Sequence, residues 1–399
     1  MPHLRNRYLF KDLTKLLKFS PLVGLFGHRQ VGKTTLASLL GKDYYSLDIR
    51  TVYDAISSDP LGFLNRAEKF PTVLDECQTI PELFPALKEF VRTNKKPGSF
   101  LLTGSVRFTS RKAIRESLTG RIIFSELLPM GVAEIYGYPL PESLLQIAKG
   151  NFIFGKTRES RIPKPSCVEE YLISGGLPGI FSVRNNTLRI QKISTQLETI
   201  LDRDMRLIIS TSLSFSTIRS VLTYIAQHQG ENLNLSEIQR ATRVTRPTLQ
   251  KLLLAFEGLF LIRSVRCEGG VGGRSFYLED QAEASYLVGA RTDSLYDLQR
   301  FLYANLRLQT HYRPALNSEI FKYETKGGAL VPLCFRFNQG VVGIIPLNEE
   351  NPNRGAVASA TSFLRKYKHS KVIFVNRGKQ IKVISPALSS VPAHILIAH

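Results

Sequence analysis

The run GHRQVGKTT, Gly27 to Thr35, holds the residues whose types and spacing point most directly to chemistry. Gly27, Gly32, Lys33 and Thr34 satisfy G-x-x-x-x-G-K-[ST], the spacing at which a glycine loop and the helix after it wrap a phosphate chain. The glycines let the backbone approach an anion, the loop N–H groups converge on it, and the helix N-terminus adds partial positive charge. Lys33 is expected to reach the β- and γ-phosphates and Thr35 to flank the α-phosphate. The Thr34 hydroxyl is expected on Mg²⁺, and Gln30 among the nucleotide contacts. Downstream, the apolar run Thr72–Leu74 ends in Asp75 and Glu76. Asp75 is expected to hold the metal through water, and Glu76 to orient or activate the attacking water. Thr103 follows Phe100–Leu102 at a strand end, where a γ-phosphate sensor sits in such sheets. Arg121, closing the segment SLTGR, is the candidate to offset charge in the transition state, with Arg107, Arg111 and Arg115 as competitors.

These side chains meet only if a sheet brings several strand ends together. Apolar strands near Leu22, Tyr44, Thr72, Phe100 and Ile122 alternate with helical patterns, which predicts a mainly parallel sheet within residues 1–140. The basic, amphipathic segment LRNRYLFKDLTKLLKF contains Asp12 and abuts the first strand, so it reads as a helix packed on that core rather than a targeting peptide. Residues 141–214 read as helical. Leu188, Ile190, Ile193, Leu197, Ile200, Leu201 and Met205 form roughly one stripe, the pattern of a lid over the nucleotide. At its end Asp202, Arg203 and Asp204 read either as a polar latch near the site or as a solvated helix end.

The chain has 399 residues, enough for two or three domains, and its 43% hydrophobic content supports sizeable cores. The balance of 53 basic against 33 acidic residues gives a net charge of +20, which favours an anionic partner, most simply DNA or another nucleic acid. The four cysteines, Cys77, Cys167, Cys267 and Cys334, lie far apart, so neither a zinc site nor a disulfide framework is expected and a reducing cytoplasm fits. No apolar run approaches the length that spans a bilayer, so no membrane partner is expected.

The chain resembles bacterial and archaeal ATP-binding proteins that pair an AAA-like P-loop domain with a C-terminal DUF4143-type domain. The resemblance rests on GHRQVGKTT, VLDECQTIPELFPALKEF, LLTGS, ESLTGRIIFSELLP, YLISGGLPG and LDRD. It implies an α/β fold with four parts: a P-loop NTPase core of the additional-strand type, a helical lid, a winged helix, and a domain similar to the restriction-endonuclease fold. On this reading residues 1–140 are the ATPase core, 141–214 the lid, 215–285 the winged helix and 286–399 the nuclease-like domain.

The winged-helix reading has its own residue pattern. Leu235–Arg240 and Arg246–Leu259 read as helices around a turn, with Pro247 where a first helical turn tolerates it. Leu261–Val265 and Ser275–Leu278 read as strands around the glycine-rich wing Gly269–Gly273. Arg243, Arg246, Thr248 and Lys251 then face DNA, and Arg274 meets backbone phosphate. In the last part, Ala329–Phe337 and Gly340–Leu347 read as a hairpin. Where the family carries nuclease metal residues, only Asp297 survives: Pro332 stands at the strand aspartate, and Ile345, Pro346 and Leu347 replace Glu-x-Lys. Nuclease chemistry is therefore not expected. The expected function is a Mg²⁺-dependent ATPase switch that binds nucleic acid. The alternative is a signalling or assembly ATPase acting on a protein partner or as a homo-oligomer.

Overall fold

Helix α1 (Leu9–Leu17) buries Leu9, Leu13 and Leu17 against the first sheet, as its apolar spacing predicts. The protein is described here from a computed structural model covering residues 5–107, 118, 120–151, 162–289 and 295–398. Arg111 and Arg115 lie outside the described residues.

The first sheet is fully parallel. Its strands are β1 (Leu22–Gly27), β2 (Asp43–Ser46), β3 (Thr72–Asp75), β4 (Phe100–Gly104) and β5 (Ile122–Leu127), in the spatial order β2-β3-β4-β1-β5. Strand β1 is buried along its whole length, so its apolar residues run on without alternation, as in a sheet covered on both faces. Helix α2 (Lys33–Leu40) follows β1 through the glycine loop. In register, β3 and β4 pair Leu74 with Leu102 and β1 pairs Gly27 with Leu127. That register gathers the ends of β1, β3 and β4 at one edge.

Helix α3 (Asn186–Glu198) does not continue regularly to Ile209. It widens into a π-helical turn over Thr199–Asp204. Three helices follow, α4 (Phe215–Gln227), α5 (Leu235–Thr242) and α6 (Arg246–Gly258), then the antiparallel pair β6 (Ile262–Glu268) and β7 (Arg274–Leu278). Helix α7 (Gln281–Val288) and the almost wholly buried α8 (Leu295–His311) come next.

The second sheet contains β8 (Glu319–Glu324), β9 (Leu330–Phe337), β10 (Gly340–Pro346), β11 (Ser370–Asn376), β12 (Lys382–Ser385) and β13 (Leu388–Pro392), with helix α9 (Arg354–Lys366) between β10 and β11. The hairpin β6–β7 joins it through parallel pairing of β6 with β8, giving the order β12-β13-β11-β10-β9-β8-β6-β7. Strand hydrogen bonds therefore cross the boundary expected near residue 285. One apolar core runs from Leu13 and Val23 through Ile193 and Leu197 of α3 to Leu222, Leu249 and Phe276.

A buried ionic cluster ties the two sheets. Arg263 of β6 meets both Glu126 of β5 and Glu279, the latter at 2.9 Å. Arg307 of α8 binds Glu279 at 2.6 Å and Glu126 at 3.4 Å, and Arg107 reaches Glu126 at 3.3 Å. Burial opposes ionisation of Glu279, but Arg307 and Arg263 outweigh it and hold its carboxyl well below the usual range.

Candidate nucleotide site

Backbone crowding at the end of β1 requires glycine. A Cβ on Gly27 would stand 2.3 Å from the Leu127 carbonyl oxygen of β5. Gly32 adopts φ +99° and starts α2 without a side-chain cap, which leaves the first-turn N–H groups of that helix to an anion. Gln30 holds φ +60°, the left-handed region rare outside glycine, and its side chain packs beside Gly179.

Lys33 is buried and lies back across the loop, its Nζ donating to the carbonyls of Gly27 at 3.0 Å and His28 at 2.8 Å. Burial lowers its pKa, while Glu76 and Asp75 oppose that shift. Thr34 and Thr35 are exposed on the first turn of α2. The Thr34 hydroxyl donates to Asp75 Oδ2 at 2.9 Å. Thr103 donates to Asp75 Oδ1 and accepts from the Glu76 N–H at 3.4 Å. Glu76 follows β3 in the left-handed region at φ +54°, a conformation that concentrates at functional sites. Its carboxylate accepts from Gln78 Nε2 and from Ser105 Oγ at 3.3 Å. The fold thus brings together Gly27, Gln30, Gly32, Lys33, Thr34, Asp75, Glu76 and Thr103.

Arg121 is not brought to this edge. It precedes β5 at the far end of a strand that runs parallel to β1, with Leu127 level with Gly27. At about 3.3 Å per residue, six residues separate Arg121 from the loop by roughly 20 Å, beyond the reach of its side chain. Arg107 is committed elsewhere, to Glu126 and the Phe260 ring.

Several partners of the site carry no local sequence signal. Tyr44 of β2 donates its hydroxyl to Asp75 Oδ2, beside Thr34. Arg7 is buried and donates to the loop carbonyl of Val31 at 2.6 Å and to Glu134 at 3.0 Å. His28 is buried and meets Glu283 of α7 at 3.1 Å. Burial opposes charge on His28, but Glu283 raises its pKa above the usual value. Glu283 also accepts from Gln196 of α3 at 2.7 Å. Asp280 caps α7, accepts from Gly176 N–H at 2.7 Å, and is pushed up to about 6 by burial and the neighbouring Glu283.

Arg243, Arg246, Lys251 and Arg274 are exposed, and Thr248 is half-buried and bonded to Thr245. In the second sheet a cleft of about 400 Å³ is lined by Leu295, Pro332, Ile345, Pro346, Leu347 and Glu349. Asp297 is taken by Arg300 at 2.8 Å. Among the described residues no group of three or more His, Cys, Asp or Glu side chains is arranged to hold a metal, and no helix is long and apolar enough to cross a membrane.

Residues 20–136 match the family model of an AAA domain, and residues 166–268 match a domain of unknown function (DUF8612). The first sheet and its loop are thus an AAA-like P-loop core. Uncharacterised proteins of Mycobacterium tuberculosis and Mycobacterium bovis are each 27% identical over 256 residues, which is 63% of this chain and 51% of theirs. The chain spans about half the length of these relatives. Among solved structures, a Walker-type ATPase of Pyrococcus abyssi is 15% identical with a TM-score of 0.42, covering 70% of this chain and 94% of that one. A signal-transduction ATPase of Pyrococcus horikoshii with a tetratricopeptide-repeat sensor is 12% identical with a TM-score of 0.27, covering 75% of this chain and 45% of that one. These overlaps are distant.

Proposed function

We propose that the chain is an ATP-hydrolysing switch that engages nucleic acid. The observation that supports hydrolysis is the Asp75 carboxylate, bridged to Thr34 from the loop and to Thr103 from β4, with Glu76 beside it. Lys33 exchanges its two carbonyl partners for the β- and γ-phosphates, as its spacing in the loop implies. Thr34 and Asp75 are hard oxygen donors that suit Mg²⁺, Thr34 directly and Asp75 through water. Held there, the ion would neutralise phosphate charge. Glu76, oriented by Gln78 and Ser105, accepts a proton from water as the water oxygen bonds to the γ-phosphorus. The bond from that phosphorus to the bridging oxygen breaks, leaving ADP and phosphate.

Glu76→Gln is expected to keep ATP binding and to slow turnover by about 10²–10⁴-fold. Hydrolysis at the wild-type rate in that variant removes Glu76 as the base.

The nucleic-acid half of the reading is supported by the net charge of +20 and by exposed Arg243, Arg246, Lys251 and Arg274 around three helices and a hairpin. DNA affinity should fall linearly on a log–log plot against salt, and Lys251→Ala should reduce the slope by about 1. A flat plot favours the second reading, a signalling or assembly ATPase with a protein partner. The incorporation of β6 and β7 into the second sheet supports that alternative, because it gives the hairpin a packing role.

A further inference from the structure

The loop carries one more cation, Arg29, and the structure gives it a partner from the π-helical turn after α3. Arg29 Nη1 lies 3.0 Å from Asp204 Oδ2. The Arg29 side chain is 29% exposed at the mouth of the site, whereas Asp204 is 4% exposed. The π-helical turn over Thr199–Asp204 accounts for that inward position, and such turns recur at functional sites. Asp202, two residues earlier, faces solvent and pairs with Arg206 at 2.9 Å, so the turn separates one buried acid from one exposed acid. Asp204 is close enough to Lys33 to oppose the lowering of its pKa, and Glu76 is close enough to Asp204 to act on its carboxyl. Three acids, Asp75, Glu76 and Asp204, therefore surround two loop cations, Lys33 and Arg29.

A terminal phosphate arriving at Lys33 brings further negative charge into this group, and Arg29 is the cation beside Lys33 able to turn toward it. We propose that Asp204 and the γ-phosphate of ATP compete for Arg29, making this pair the element that distinguishes ATP from ADP and reports the difference to that turn. Arg203, whose Nε is 3.9 Å from Asp204 Oδ1 and whose side chain is 60% exposed, is positioned to take Asp204 when Arg29 leaves it. ADP carries no γ-phosphate and leaves the Arg29–Asp204 pair in place. Because Asp204 lies two residues before the end of the helical run begun by α3, the exchange moves that end of the run relative to the loop. The inference rests on the nucleotide-site reading above.

The test measures binding of a slowly hydrolysed ATP analogue and of ADP to the full chain by calorimetry. Asp204→Asn removes the competitor and should tighten the ATP analogue about tenfold with ADP unchanged. Arg29→Gln should weaken the ATP analogue by a similar factor with ADP unchanged, and Arg29→Lys should fall between. The double variant should match Arg29→Gln, since Asp204 then has nothing to withhold. A fold defect from losing the pair would shift both nucleotides together. Equal shifts for the two nucleotides, or none, overturn the latch while wild-type binding upholds the site. Absence of ATP binding by the wild-type chain overturns both.

Discussion

The strand-end edge of the first sheet and the cleft of the second gather different chemistry. In the first, β3, β4 and the loop after β1 converge hydroxyls and carboxylates: Thr34 and Thr103 on the two oxygens of Asp75, with Glu76 alongside. In the second, α8, β9 and β10 converge Leu295, Pro332, Ile345, Pro346 and Leu347, and the remaining acid of α8, Asp297, is neutralised by Arg300. Pyrrolidine and alkyl groups cannot ligate Mg²⁺, and an acid paired with a buried guanidinium has little to offer a metal. A parallel five-stranded sheet therefore presents a cluster of hydroxyls and carboxylates, and a mixed eight-stranded sheet a cleft whose acid Glu349 stands beside proline and alkyl groups. The chemistry lies in a few strand-end atoms.

Substitutions can break or sharpen this contrast. The largest effect is expected from Lys33→Ala, which should abolish ATP binding in an equilibrium titration, while Glu349→Gln in the cleft of the second sheet should leave it unchanged. Mg²⁺- or Mn²⁺-dependent DNA cleavage that survives Glu76→Gln would restore catalysis to that cleft and end the contrast. A smaller but still large effect is expected between the two sheets. Glu279 is 4% exposed and carries Arg263 and Arg307. Glu279→Ala leaves the buried Arg307 and the half-buried Arg263 short of a partner and should cost about 3–5 kcal/mol in denaturant unfolding. A cost below 1 kcal/mol would mean that the cluster does not hold the sheets together.

The smallest effect concerns pH. The Asp280 carboxyl is raised to about 6, above its unfolded value of about 3.9. The folded state then binds more protons between those values, so this group's contribution to stability falls as pH rises through that window and is fully lost above it. Asp280→Asn removes the dependence. Relative to the wild type it should gain stability from pH 4 to pH 6.5, by at most about 3 kcal/mol, and then level off. Parallel pH profiles for the two proteins would contradict the assignment.

The nucleotide edge was legible where its signal is local. The loop is contiguous, and Asp75, Glu76 and Thr103 follow short apolar runs that end where their strands end. Tyr44 was not legible, because its role depends on β2 pairing with β3 in a register that sets Ser46 against Asp75. Arg7, Asp280 and Glu283 reach the loop region from distant segments, and nothing in their own neighbourhoods marks them. Arg121 illustrates a different limit: spacing shows that it precedes a strand, but only the parallel direction of that strand shows which edge it occupies. Strands β8 and β13 were not legible because Glu319–Glu324 breaks the apolar–polar alternation that marks a half-buried strand, and β13 is short and serine-rich.

The pairing of β6 with β8 also limits how the chain can be dissected. A fragment ending near residue 285, where composition suggests a natural cut, would keep β6 and β7 but lose the strand on the other side of β6. Its exposed edge would offer unpaired N–H and C=O groups to any other chain, a recipe for self-association during expression. The complementary piece would begin with α8 stripped of the Glu279 and Glu126 that neutralise Arg307. A cut before α4 fares no better, because it strips Leu222, Leu249 and Phe276 from the core shared with β1 and leaves the loop's His28 without Glu283.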